Sequence, residues 1–189
     1  GGIVSAILGP QAVIFTKDMF LPVEFAGAYM SIILFGLMGF AVLSFLKLEP
    51  APKAEPGVAR DTGRPLGQII ANPRFLTALL CGVSSYALMS LVMTGAPLAM
   101  VGCGFSVNEA TLGIQWHVLA MFAPSFFTGK LIARFGKETI VAVGLIILIG
   151  CAFVALQGIE LWNFWASLVL LGLGWNFGFI GGTTMLTKC

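Results

Sequence analysis

Apolar residues in this chain neither alternate with polar ones nor recur on one helical face; they run in long blocks. Residues 1–16, 25–46, 75–108, 110–129, 139–159 and 161–187 contain no Asp, Glu, Lys or Arg. A helix needs about 20 mostly apolar residues to cross the roughly 30 Å hydrocarbon layer of a bilayer. Every block except the first is that long. Residue 1 is Gly rather than Met, so the chain reads as a piece of a longer protein that opens inside a crossing. No basic leader precedes an apolar core, so a signal peptide is not expected. Strands of a membrane barrel alternate polar and apolar positions, whereas these blocks are apolar throughout. They predict helices over about 1–16, 25–46, 75–100, 110–132, 139–158 and 161–187. The expected fold is therefore all-α and polytopic, with six transmembrane helices.

Composition removes the main alternative. The chain is 58% hydrophobic and 10% charged, against about 25% charged in a soluble domain. A soluble fold would have nothing with which to cover six such helices. With alternating crossings, one side receives Lys47, Lys53, Arg60, Arg64, Arg74, Lys130, Arg134, Lys137 and Lys188. The other receives Lys17 alone. Basic loops stay in the cytoplasm, which places the chain in a cell inner membrane with residues 47–74 and 130–138 inside. Asp18, Glu24, Glu109 and Glu160 then lie outside, and Trp162 and Trp165 fit an outer aromatic belt.

Residues 47–74 carry Pro50, Pro52, Pro56, Pro65 and Pro73 among mixed charges, the composition of a linker. They divide the chain into 1–46 and 75–189. Within "RPLGQIIANPRF", Leu66, Ile69 and Ile70 have helical spacing, which fits a short surface helix or an irregular linker. The net charge of +2 does not point to nucleic acid; the basic residues face a lipid surface. Cys81, Cys103, Cys151 and Cys189 have no paired spacing and no neighbouring His, which fits neither a disulfide framework nor a metal site. No cofactor is expected.

The stretch "GKLIARFGKETI", residues 129–140, concentrates charge between two apolar blocks. Lys130 and Arg134 stand one turn apart at the cytoplasmic end of a helix. There, cations complement both the negative helix terminus and an anionic leaflet. Gly129 would let a neighbouring helix come close, and Gly136 would permit a tight reversal. The stretch resembles the signature loop of the major facilitator superfamily, Gly-x-Leu-x-Asp-Arg-x-Gly-Arg-Lys. Gly129, Leu131, Arg134, Gly136 and the basic Lys137 match. Ala133 stands where that loop has an acidic residue and Glu138 where it has a basic one.

The resemblance extends along the chain. The long linker would be the one between helices 6 and 7, making these helices 5 to 10 of a twelve-helix transporter in two bundles. "ILGP", ending Gly9-Pro10, resembles a Gly-Pro pair of helix 5. "LGLGWNFGFIGGTTMLT" resembles helix 10 of some bacterial members. "GIQWHVLAMFAPSFFTGKLIARFG" is similar to bacterial permeases of the riboflavin type. The resemblance implies a gating role for Gly129, Arg134, Gly136 and Lys137; plain topology would also account for the basic residues. The missing helices of the full-length transporter are then a required partner.

Polar side chains within a membrane usually face a bundle interior or a cavity. Helices 25–46 and 139–158 are almost free of them at mid-span. The other four hold Gln11, Ser84, Ser85, Gln115, His117 and Asn176. In the superfamily it resembles, helices 5, 7, 8 and 10 line the cavity while 6 and 9 face lipid, so the two assignments agree. His117 is either a neutral histidine bonded between helices, a solute contact or a proton carrier. At 100° per residue, Gly113, Pro124 and Thr128 fall near its face. Gln115 points the opposite way, so the two cannot line one wall of a straight helix; Pro124, beyond both, can bend it. Asn176 requires a partner, either another helix or a solute. Trp175 can stack on a flat ring or simply pack. Gly174, Gly178 and Gly182 form a small-residue ridge for close helix packing. Gly95 and Pro97 mark a kink, or the end of their helix.

The substrate-cavity candidates are thus Gln11, Ser85, Gln115, His117, Trp175 and Asn176. No carboxylate lies mid-span, so proton coupling would need His117 or an acid in the missing half. The sequence lacks the converging nucleophile, metal ligands or paired acids of an intramembrane enzyme. The expected function is a secondary transporter that moves a small, neutral or weakly charged organic solute by alternating access. A solute sensor or inactive relative of the same fold is the alternative.

Overall fold

The computed structural model describes residues 1–47 and 65–186. Among them the elements are all helical: α1 (Gly2–Thr16), α2 (Ala26–Ser44), α3 (Leu66–Ile70), α4 (Pro73–Gly102), α5 (Val107–Phe122), α6 (Ser125–Phe135), α7 (Lys137–Leu156) and α8 (Leu161–Leu186). Of these, α2, α4, α7 and α8 are long and apolar enough to cross a membrane. The bent pair α5 and α6 together make a fifth such span. The apolar α1, at 15 residues, is shorter than a crossing. Most of the proposed linker, residues 48–64, lies outside the described residues, as do Lys188 and Cys189.

Local chemistry sets the helix ends. Asn72 caps α4, its side chain accepting from the Arg74 N–H at 3.0 Å with Pro73 in the first turn. Ser106 and Glu109 form a reciprocal capping box on α5, with Glu109 Oε2 2.8 Å from the Ser106 nitrogen and Ser106 Oγ 3.2 Å from the Glu109 nitrogen. These bonds satisfy donors that a helix start otherwise leaves open. A single residue, Gly136, separates α6 from α7. Its φ of 86° and ψ of 152° lie in a region open essentially to glycine.

Two compact units emerge: residues 1–11 with 67–189, and residues 12–66. In the smaller unit, α2 exposes apolar side chains around its circumference, including Ile32, Leu34, Leu37, Phe40 and Leu43. Surrounded by lipid tails this carries no penalty. In the larger unit, α8 is the central element, packed by α7, α4 and α5. On α7, Ile140, Val141, Gly144, Leu148 and Cys151 form the buried face, while Val143, Ile146, Ile149 and Phe153 are exposed on the other.

The glycine ridge of α8 makes these contacts close. A Cβ on Gly144 of α7 would stand 2.5 Å from the Gly178 nitrogen and 2.9 Å from the Gly174 carbonyl oxygen. Gly182 faces α4, 3.4 Å from the backbone nitrogen of Gly82 by the same measure.

Some expectations require correction. The helix expected over 110–132 is two helices meeting at 42°, because Pro124 offers no N–H and interrupts the ladder. The helix through Gly95 and Pro97 does not end there; α4 continues to Gly102. Trp165 Nε1 donates to the Glu109 carbonyl at 3.2 Å, a bond the sequence did not indicate. Trp162 is exposed. No described atom approaches the Cβ position of Gly129 within 4 Å, so no described helix uses the close approach expected there. Of the two alternatives for the end of the linker, Leu66–Ile70 is a short helix rather than irregular.

Candidate functional site

Not every polar residue of α4, α5 and α8 is drawn inward, for Ser84 of α4 is exposed. Ser85, His117 and Asn176 are each fully buried. On α5, the faces separate as the 100° spacing requires. His117 Nδ1 lies 2.9 Å from the Leu168 carbonyl of α8; a carbonyl only accepts, so Nδ1 carries the proton. Gln115 turns to α1, accepting from Gln11 Nε2 at 2.8 Å. Thus Gln115 and His117 do not share a wall.

Three buried polar atoms have no hydrogen-bond partner among the described residues: Ser85 Oγ, His117 Nε2 and Trp175 Nε1. They come from α4, α5 and α8, one each. Leaving such atoms unpaired costs about 1–3 kcal/mol apiece, so each is a place where a polar group of a ligand or a water would be welcome. Ser85 packs beside Gly178, which leaves room for the hydroxyl.

An aromatic series begins at Trp175. Trp175 and Phe179, one turn apart on α8, stack with centroids 4.9 Å apart and planes 10° from parallel. Tyr86 of α4 follows, 6.1 Å from Phe179. Tyr86 and Phe179 border an almost wholly apolar cavity of about 310 Å³, lined also by Gly82, Val83, Thr183 and Leu186. Sequence reasoning singled out Trp175 but not Phe179 or Tyr86. The i, i+4 spacing of Trp175 and Phe179 was the readable signal; Tyr86 depends on how α4 docks.

Asn176 has its partner on another helix. Its Nδ2 donates to the Met121 carbonyl at 2.6 Å and to Ser125 Oγ at 2.8 Å, and its Oδ1 accepts from Thr128 Oγ1 at 2.7 Å. Ser125 was not anticipated, since only the bend brings it round to α8.

In the basic turn, Gly129, Ile132, Ala133, Gly136, Lys137, Glu138 and Thr184 border a second cavity of about 430 Å³. Lys137 and Glu138 pair loosely at 4.0 Å. Arg134 lies 5.2 Å from the centre of the Phe135 ring. Among the described residues, no group of three or more His, Cys, Asp or Glu is placed to hold a metal.

A match to the Major Facilitator Superfamily runs over residues 1–189. The chain belongs to that superfamily. The riboflavin transporter RfnT of Brucella anthropi is 56% identical over 189 residues, covering 100% of this chain and 47% of the relative. The uncharacterized MFS-type transporter YddS of Bacillus subtilis is 28% identical over 198 residues, covering 97% of this chain and 45% of the relative. No solved structure matches. The chain thus spans about half the length of these superfamily relatives, and it is a multi-pass membrane segment.

Proposed function

We propose that the full-length protein of which this chain is a part is a secondary transporter for a flat, weakly charged organic solute. Riboflavin, the solute in the name of the 56% identical relative, is the first to test. The observation that carries this reading is the almost wholly apolar cavity bordered by Tyr86 and Phe179, with Trp175 stacked on Phe179. Ligand sites are mostly apolar, with a few placed polar groups. A planar heteroaromatic ring would take the place of one neighbour in the Trp175–Phe179 stack. A ring carbonyl would accept from Trp175 Nε1, which has no partner among the described residues. Transport would follow from two bundles rocking about that site, the second assembled from helices beyond this chain.

Full-length protein in proteoliposomes is expected to take up labelled riboflavin. Trp175→Ala should raise the half-saturating concentration about tenfold, as expected for losing an aromatic stacking platform worth about 1–3 kcal/mol. A protein that binds riboflavin but never accumulates it would instead be a sensor. Absence of both binding and uptake would remove riboflavin.

In this proposal residues 47–74 and 130–138 face the cytoplasm of an inner membrane, and Gly129, Arg134, Gly136 and Lys137 act as a gate. Lys130→Cys and Glu160→Cys, each made singly in a cysteine-free background, should react with an impermeant maleimide from opposite sides of the membrane. Labelling of Lys130→Cys from outside intact cells would invert the topology.

A further inference from the structure

The bond pattern around Asn176 goes beyond a chance polar contact. Asn176 meets α5 and α6 where the two are broken. Pro124 has no N–H to continue the ladder, and the N–H groups of Phe127 and Thr128 both turn back to its carbonyl, at 2.9 and 2.8 Å. In an unbroken helix the Met121 carbonyl would receive the Ser125 N–H. Here it receives Asn176 Nδ2 at 2.6 Å. The second hydrogen of that nitrogen goes to Ser125 Oγ, on the other side of the break.

The Thr128 hydroxyl lies 2.8 Å from the Pro124 carbonyl and 2.7 Å from Asn176 Oδ1. It has one proton to give. The Pro124 carbonyl already accepts two N–H groups, so the proton belongs to Asn176. The amide is thereby bonded on both sides of the break: to Met121 before it and to Ser125 and Thr128 after it. One turn earlier on α8, Gly172 lets this helix approach closely. A Cβ there would come within 3.0 Å of the Met121 nitrogen.

We propose that Asn176 is a positioning residue that holds the α5–α6 bend, and so fixes the direction in which α6 carries the charged turn. Both its N–H groups are committed to protein, which assigns it to the helix angle rather than to recognition of the solute. The proposal rests on the transporter reading for its consequence in uptake, but not for the bend itself.

The test uses full-length protein in liposomes, with spin labels on cysteines introduced at the exposed positions Asn108 and Ala133. With a rise of 1.5 Å per residue, these positions stand about 38 Å apart in a straight helix. With the 42° bend the same rise gives about 35 Å. Asn176→Leu should lengthen the distance by up to about 2 Å, and Thr128→Val should shift it the same way by less. In uptake, Asn176→Leu should lower the maximal rate about tenfold and leave the half-saturating concentration within about twofold. Adding Thr128→Val to Asn176→Leu should do little more, because the two share one bond.

An unchanged distance in Asn176→Leu overturns the proposal. So does a raised half-saturating concentration at full maximal rate, which would make Asn176 a solute contact. If Asn176→Leu fails to insert, the Thr128→Val distance decides by the same criterion. If the wild-type protein does not transport, the transporter reading fails while the label distance still decides the bend.

Discussion

Replacing Gly144 by Val in the full-length protein is expected to cost about 3 kcal/mol or more of stability. It should be the most damaging single change among the positions considered. The reason lies in what the added side chain would meet. The three nearest atoms to a Cβ at Gly144 are the Gly178 nitrogen at 2.5 Å, the Gly174 carbonyl oxygen at 2.9 Å and the Phe177 carbonyl carbon at 3.0 Å. All three are backbone, so no rotamer can move aside. The two helices would have to separate, and Leu148, Cys151, Leu168 and Leu171, buried together nearby, would lose contacts with them. Gly150, on the same helix, has no such neighbour within 4 Å. Gly150→Ala should be neutral or stabilising by up to about 1 kcal/mol, the difference in helix propensity. Thermal unfolding of the purified variants in detergent checks both. Equal midpoints for Gly144→Val and wild type would show that α7 and α8 do not meet as described.

Gly136→Ala is expected to have the second largest effect, for a different reason. Space is not limiting there: the nearest atom to an added Cβ is Glu138 Oε2 at 3.7 Å. The obstacle is the backbone, whose φ of 86° and ψ of 152° cost a residue with a side chain about 1–3 kcal/mol. The chain can relieve that strain only by reorienting α6 against α7. Uptake by the full-length protein should therefore fall more than thermal stability does. Normal uptake by Gly136→Ala would show that the turn can be rebuilt without consequence.

Much of this architecture is legible in the charge-free blocks. The helices expected from them over 25–46, 75–100, 139–158 and 161–187 anticipate α2, α4, α7 and α8 to within about two residues, because in lipid a long apolar run has few alternatives to a helix. The small-residue ridge and the need of Asn176 for a partner could also be read directly. Three features could not. The break before Ser125 depends on whether Pro124 kinks a helix or divides it, and sequence spacing does not decide that. The Trp165 bond to the Glu109 carbonyl requires knowing how α5 lies on α8. The Gln11–Gln115 pair joins residues far apart in the chain, so periodicity within either helix reveals only that each is polar. The basic turn was visible as a motif, yet the glycine that matters in the described structure is Gly136. Gly129 faces open space.

The one-residue connection between α6 and α7 leaves no slack between them. A tilt of α6 must be passed on at once to the start of α7, as a lever passes load across its fulcrum. Because α7 lies backbone-to-backbone on α8, that load reaches the centre of the larger unit without a soft side chain in between to absorb it.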